Sequence, residues 1–200
     1  NLNENTDTSS AIRVADIVVT DDALGTNTLN LSGTDAAAFE IVGNELRLRA
    51  GTVLDYETQL AFDVTVEVDD VSVGASPDDS VLHTLLVNDV DEFDVTTPVD
   101  VDNSANTVAE NSVLGTTVGI TALAVDADGS NNTVSYSLLD SAGGRFAIDA
   151  TSGVVSVVGG LDYESASSHS IIVQASSSDG SQATQVFVIL LTDVNESGVT

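Results

Sequence analysis

The chain has 200 residues, no Cys, no Met and no Trp, and a formal net charge of −28 from 32 acidic and 4 basic residues. Such a charge repels nucleic acid phosphates and anionic lipid heads, and the missing Cys excludes disulfides and thiolate metal sites. A hydrophobic fraction of 42% with mean hydropathy +0.19 excludes a disordered polyelectrolyte, and the length suits one large domain or two of ordinary size.

In chain order, the opening Asn1-Leu2-Asn3-Glu4 has neither a basic region nor an apolar stretch, so it is not a signal peptide. Thr20-Asp21-Asp22 is a turn cluster, and Asp35 to Phe39 makes one helical turn. Arg47 and Arg49 stand two apart and share a strand face, where neighbouring acids pair with them. Asp63 to Val68 alternates apolar and polar with period two, and Val81 to Val87, carrying His83, is a further strand. Thr133 to Leu138 alternates in the same way. Turns follow at Ser141 to Gly144 and Thr151 to Gly153. His169 opens a strand that runs through Ile171 to Ala175, and Ser176 to Ser181 turns the chain into Gln185 to Leu191. The longest apolar run, Val186 to Leu191, is far too short to span a membrane. Short strands at this spacing predict an all-β protein built from Greek-key, immunoglobulin-like sandwiches. The absence of Met marks the sequence as a piece of a longer chain.

Short motifs recur in one order. Phe39-Glu40-Ile41 matches Phe146-Ala147-Ile148, and Leu54-Asp55-Tyr56-Glu57 matches Leu161-Asp162-Tyr163-Glu164, both at an offset of 107 (146 − 39; 161 − 54). Asp89-Val90-Asp91-Glu92 matches Asp193-Val194-Asn195-Glu196 at 104 (193 − 89), and Glu4-Asn5 matches Glu110-Asn111 at 106 (110 − 4). A period of about 105 residues is that of a domain rather than a solenoid turn. Two tandem repeats are expected, 1–93 and 94–200.

The acidity is uneven, with 23 Asp against 9 Glu. Asp favours turns and hard-cation sites, whereas Glu favours solvated helix faces. Residues i and i+2 of a strand face the same way, so Asp55 and Glu57 are expected side by side on one face with Tyr56 on the other, as are Asp162 and Glu164. Asp126-Ala127-Asp128-Gly129 offers another carboxylate pair on a loop, and Asp91 and Glu92 lie in the connector. With no Lys to offset them, such groups repel one another. Calcium, which takes six to eight oxygens, is the cofactor this donor set points to; zinc is not, with only two His and no Cys. A glycosidase-type carboxylate pair is disfavoured because the motif occurs twice without a cleft-building insertion, and nothing places a base beside a nucleophilic Ser. No enzyme is expected.

Glu110-Asn111, Gly115-Thr116, Asp126-Ala127-Asp128-Gly129, Val134 to Leu138, Phe146 to Asp149, Thr151 to Val154, LDYE at 161–164 and DVNE at 193–196 together resemble a cadherin repeat over nearly all of residues 100–196. The first repeat is a more divergent relative that keeps Glu4, LDYE and DVDE. The dense Asp and absent Cys resemble the cadherin-like arrays of large bacterial surface adhesins. The resemblance implies calcium between successive repeats, with Glu4, Asp55, Glu57, Asp91 and Glu92 from the first and Asp126 and Asp128 from the second. Asp89 is a lesser candidate. A second half-site is implied at Glu110, Asp162, Glu164, Asn195 and Glu196, and a third at Asp21 or Asp22 with Asp69.

Several positions depart from the family. The connectors read DVDEF and DVNES where D-x-N-D-N is usual, and the late Asp of the family falls on Asp69 in the first repeat but on Ser176 in the second. The added Asp100-Val101-Asp102-Asn103 is either a further calcium loop or a simple turn. The expectation that follows is a calcium-stiffened extender or adhesion segment of a large bacterial surface or secreted protein, located outside the cell. Its partners would be adjacent repeats of the same longer chain, and a homophilic or host or neighbour-cell surface ligand; neither nucleic acid nor direct membrane insertion is expected. The rival is a carbohydrate- or protein-ligand-binding module of a secreted multidomain protein, which the scarcity of aromatics disfavours.

Overall fold

Phe62, Val64 and Val66 in Ala61–Asp70, and Ile171, Val173 and Ala175 in Ser168–Ser176, present one apolar face each, and burial of that face organises both halves of the chain. A computed structural model describes residues 1–20, 25–74 and 76–196. The chain divides into two compact units, Asn1–Val90 and Asp91–Thr200.

The first unit contains β1 (Leu2–Asn3), β2 (Ile12–Asp16), β3 (Asn27–Ser32), a single 3-10 turn at Ala36–Ala38, β4 (Phe39–Val42), β5 (Glu45–Leu48), β6 (Ala61–Asp70) and β7 (Asp79–Asn88). One sheet has the order β1-β7-β6-β3 and the other β2-β5-β4. Phe39, Leu46 and Leu48 from the second sheet meet Phe62, Val64, Val66, Leu85 and Val87 from the first in one core.

The second unit contains β8 (Val99–Asp100), β9 (Thr107–Ala109), β10 (Thr117–Leu123), β11 (Ser135–Asp140), β12 (Phe146–Ile148), β13 (Val154–Val157), β14 (Ser168–Ser176) and β15 (Gln182–Thr192). Its sheets run β11-β14-β15-β9 and β12-β13-β10-β8. Val118, Ile120, Val155, Val157, Ile171, Val173 and Ile189 are almost fully buried between them. In each unit a strand near its start pairs parallel with the last strand, β1 with β7 and β9 with β15. Parallel pairing needs a crossover, which makes the sandwich a Greek key rather than a meander.

Polar groups inside the second unit are satisfied locally. The buried Tyr136 hydroxyl accepts the Ala124 N–H at 2.9 Å and donates to the Ala124 carbonyl at 3.4 Å. Gly153 holds φ +70°, and a Cβ there would stand 2.1 Å from the Ala122 carbonyl oxygen, so the β12–β13 turn requires glycine. The ion pairs Arg13–Asp16, Arg47–Glu45 and Arg49–Glu40 all lie on β2, β4, β5 and their ends, and exposed pairs of this kind contribute little.

The LDYE segments are not extended. Asp55 and Asp162 each open a turn: Thr58 N–H and Oγ1 reach the Asp55 carboxylate at 2.9 and 2.8 Å, and Ser165 N–H and Oγ reach that of Asp162 at 3.0 and 2.9 Å. A short acidic side chain followed three residues later by a hydroxyl residue favours this turn over strand alternation.

Candidate functional site

In the first unit Glu4 is 5% exposed. Its Oε2 accepts the Tyr56 N–H and its Oε1 the Val90 N–H, both at 2.7 Å. One carboxylate thus ties the start of the unit to the LDYE turn and to the chain leaving β7. Carboxylate oxygens of Glu4 and Glu57 lie within 4.8 Å of each other, as do those of Glu57 and Asp89. The Asp89 Oδ1 is buried with no hydrogen-bond partner. Asp55 faces the same turn but spends both oxygens on Thr58.

The second unit repeats the arrangement at one end of β14. Glu110, 1% exposed, accepts the Tyr163 N–H at 2.6 Å and the Val194 N–H at 2.8 Å. Glu110, Asp162 and Glu164 bring one carboxylate oxygen each within 4.8 Å. Glu164 draws stabilisation from its own backbone N–H, but burial and repulsion from Glu110, Asp193 and Glu196 together push its carboxyl above the ordinary range. The Ser165 hydroxyl and N–H hold Asp162 below it. Glu196 accepts a hydrogen bond from the Asn111 side chain, and Asn195 is exposed beside it.

A second nest lies at the other end of β14. Asp126 and Asp128 are 7% and 2% exposed. Oδ2 of Asp128 accepts the Glu92 and Phe93 N–H groups at 3.1 and 3.2 Å, while its Oδ1 is buried without a partner. Ser177 donates its hydroxyl to Asp126, and Asp179 takes the N–H and hydroxyl of Ser181 at 2.6 and 2.9 Å. Asp91 is raised above the ordinary carboxylate range, first by desolvation, then by its hydrogen bond with Asp128 and by repulsion from Asp179, Asp128 and Asp126. Glu92 is exposed, and its backbone N–H meets Asp128.

Strand phase corrects the late Asp. Asp70, not Asp69, points inward at the end of β6, at 4% exposure, and its counterpart is Ser177, at 8%, not Ser176. Hydrogen bonds from the Ser72 N–H and hydroxyl hold Asp70 low despite its burial. The offset between Asp70 and Ser177 is 107 (177 − 70), but Asp69 and Ser176 are separated by the same 107 (176 − 69), so the repeat alone does not choose between them and the phase of the strands does. Asp193 is a further acidic residue at this nest that the sequence reading did not single out: its charge acts on Glu164 through space. Asp100 and Asp102 form turns, with Asp100 accepting the Asp102 and Thr121 N–H groups and Asp102 that of Ser104. Asp21 and Asp22 lie outside the described residues.

The donor set suits a hard cation. The oxygens are converging carboxylates, Asp128 Oδ1 lacks a partner, and among the described residues the ion pairs stay on the β2-β5-β4 sheet, away from both nests. Glu4, Glu57 and Asp89 would hold such an ion in the first unit; Asp91, Asp126, Asp128 and Asp179, or Glu110, Asp162 and Glu164, would hold it in the second. Calcium bound there would supply charge neutralisation and no bond-making chemistry.

Comparison with known proteins agrees with this geometry. The cadherin domain family matches residues 105–192. Human Protocadherin Fat 1 is 36% identical over 73% of the chain, which spans 3% of that protein, and human Cadherin-related family member 2 is 32% identical over 86% of the chain, which spans 14% of that one. The crystal structure of chicken VE-cadherin EC1-2 aligns with TM-score 0.63 at 25% identity, covering 96% of each chain. Cadherin repeats are adhesion modules rather than enzymes. With both units built on one strand plan and sharing the Glu4 and Glu110 clamps, the chain consists of two tandem cadherin-like domains.

Proposed function

We propose that the two repeats, 1–93 and 94–200, are a calcium-binding, calcium-stiffened adhesion or extender segment of a longer extracellular protein, of the kind found in large bacterial surface adhesins. The observation that carries the reading is the second unit's nest of Glu110, Asp162 and Glu164, whose oxygens lie within 4.8 Å although burial and then repulsion push Glu164 upward. Backbone amides from Tyr163 and Val194 fix Glu110 in that position, so the repulsive arrangement is built into the fold. A divalent cation relieves it. Ions shared with adjacent repeats of the longer chain would turn a charged, swinging connection into a stiff one. The adhesion surface itself would belong to a homophilic partner or a neighbouring cell.

The metal-free chain is titrated with calcium by calorimetry while its dimensions are followed by small-angle scattering. Extracellular calcium modules bind at about 10⁻⁴–10⁻³ M. Saturable binding in that range with a longer particle supports the proposal. Absence of heat and of any change in dimensions at millimolar calcium sinks it and leaves the acidity as general surface charge.

A further inference from the structure

The sheet β11-β14-β15-β9 turns one face to the core and the other to solvent. On the outer face Ile172 lies opposite Val186, Ser170 opposite Val188 and Ser168 opposite Leu190. Val186, Val188 and Leu190 stand 54%, 48% and 52% exposed. The pairs Gln174–Thr184 and Ser176–Gln182 continue the face with polar but uncharged side chains. No residue of β9, β14 or β15 carries a carboxylate, an ammonium or a guanidinium. In β11 the one charge is Asp140, opposite Ile172 at the last residue of that edge strand, where its carboxylate accepts the Ala142 N–H at 2.8 Å.

In a chain of net charge −28, a face charged only at its rim is a departure, and the first unit shows the alternative. On the outer side of β6 that unit carries Asp63, Glu67 and Asp69, with Phe62, Val64 and Val66 turned to the core. At the offset of 107 the second unit has Ser170, Gln174 and Ser176 (170 − 63; 174 − 67; 176 − 69), and Ile172 stands for Thr65 (172 − 65). On the neighbouring strand Val188 stands for Thr84 at the offset of 104 (188 − 84). The strand plan therefore accepts three acids here, and the second unit has none of them. The same unit keeps its acids on loops, among them Asp126, Asp149, Asp162 and Asp179. Depletion of charge around exposed Val, Leu and Ile is the composition of an interface centre. A basic partner would be drawn to carboxylates, and this face lacks them. Two copies of an acidic chain repel wherever their carboxylates meet, so a face without them is where a second copy can approach. Strands about 4.8 Å apart with about 3.4 Å per residue give these four strands a face of about 500 Å². A face-to-face pair would cover about 1,000 Å², the scale of a weak, transient contact.

We propose that the outer face of β11-β14-β15-β9 is a self-association surface, on which the second unit of one chain meets the second unit of another copy. The contact is isologous, with the Val186, Val188 and Leu190 stripe of each copy against that of the other. The inference rests on the adhesion reading, whose surface and partner it names, and it does not involve the ion.

The test is sedimentation equilibrium of the full chain up to millimolar concentration, in excess EDTA and at about 0.5 M sodium chloride, where screening is short-ranged. The expected result is a monomer–dimer equilibrium that weakens as salt is lowered, because salt screens the repulsion between two acidic chains. Ser170→Asp with Gln174→Glu installs the acids that the first unit carries at Asp63 and Glu67, so the strand plan accepts them. That variant should dimerise at least about tenfold more weakly. Val113→Asp with Leu114→Asp adds the same charge on the exposed loop before β10 and should dimerise as the parent does. A chain that stays monomeric overturns the proposal. So does a dimer that the Ser170 and Gln174 substitutions leave intact, one that the loop substitutions abolish equally, or one that strengthens as salt falls. Calcium calorimetry on the same variants keeps the two readings apart: the face variant should bind the ion as the parent does, so a failed calcium reading and a failed dimer appear in different measurements.

Discussion

Glu110 and Tyr163 are 53 residues apart, yet the Glu110 carboxylate accepts the Tyr163 backbone N–H at 2.6 Å, and Glu4 does the same for Tyr56 at 2.7 Å. Each glutamate is buried and uses its other oxygen on the chain leaving the last strand. These residues are therefore structural before any ion binds. Glu110→Gln replaces one acceptor with an amide that opposes a backbone N–H. The expected cost is about 1–3 kcal/mol, measured by denaturant unfolding in excess EDTA so that metal plays no part. An unchanged midpoint there would contradict the clamp.

Asp128 separates the ion from the fold. Its Oδ2 holds two backbone amides, but Oδ1 is buried and unpartnered. Asp128→Asn keeps an acceptor and removes the charge. Calcium affinity should fall by at least about tenfold, a loss of about 1.4 kcal/mol or more, with the metal-free circular dichroism spectrum unchanged. Calorimetry with equal affinity in variant and parent would remove Asp128 from the ligand set.

Ser177 stands where the first unit has Asp70. Ser177→Asp replaces the hydroxyl that donates to Asp126 with another negative charge. The variant should melt lower than the parent without calcium and gain more than the parent from calcium. Parallel melting curves with and without the ion would show that this position does not face a cation.

His83 and His169 point into the sandwiches, and each has a buried Nε2 without a partner. Desolvation lowers both below the ordinary value of 6.5; the N-terminal charge adds to this at His83 and Arg145 at His169. The unfolded chain then binds protons more readily than the folded one. Stability is complete above about pH 6.5 and is lost as pH falls below it towards the folded values. The sandwich offers its own control, because strand register sets His83 opposite Val64 and Phe187 opposite Ile171, equivalent places in the two units. His83→Phe should flatten the first unit's decline between pH 7.5 and 5.5, read as unfolding midpoint against pH.

Gly153 takes φ +70° with no room for a side chain beside the Ala122 carbonyl. Gly153→Ala should cost more than about 1 kcal/mol, seen as a lower chemical midpoint for the second unit. Gly160, with nothing near an added Cβ, is the control and should tolerate Ala.

The fold was legible because its strands are plain: Asp63 to Val68 and Ile171 to Ala175 alternate or run apolar, and both lie in long central strands. The repeat was legible because LDYE recurs at a fixed offset. Local geometry was harder. LDYE alternates on paper, but the hydroxyls at Thr58 and Ser165 recruit the Asp carboxylates into turns, a contact that periodicity ignores. Asp69 and Asp70 are adjacent, so only the phase of β6 decides which faces inward. The Glu4 and Glu110 clamps join residues more than fifty apart, and no local pattern announces them.

The parallel pairing of β9 with β15 joins the beginning of a repeat to its end, with Leu190 beside Thr107 and Thr192 beside Ala109. A contact of such sequence separation cannot form early, because the loop entropy must be overcome before the pairing is gained. As the polypeptide emerges from the ribosome, each repeat therefore stays unsealed until its last strand has been made. The clamp through Glu110 closes later still, once Val194 arrives. A long array of such repeats would mature one unit at a time in the order of synthesis, with a single incomplete sandwich at the growing end.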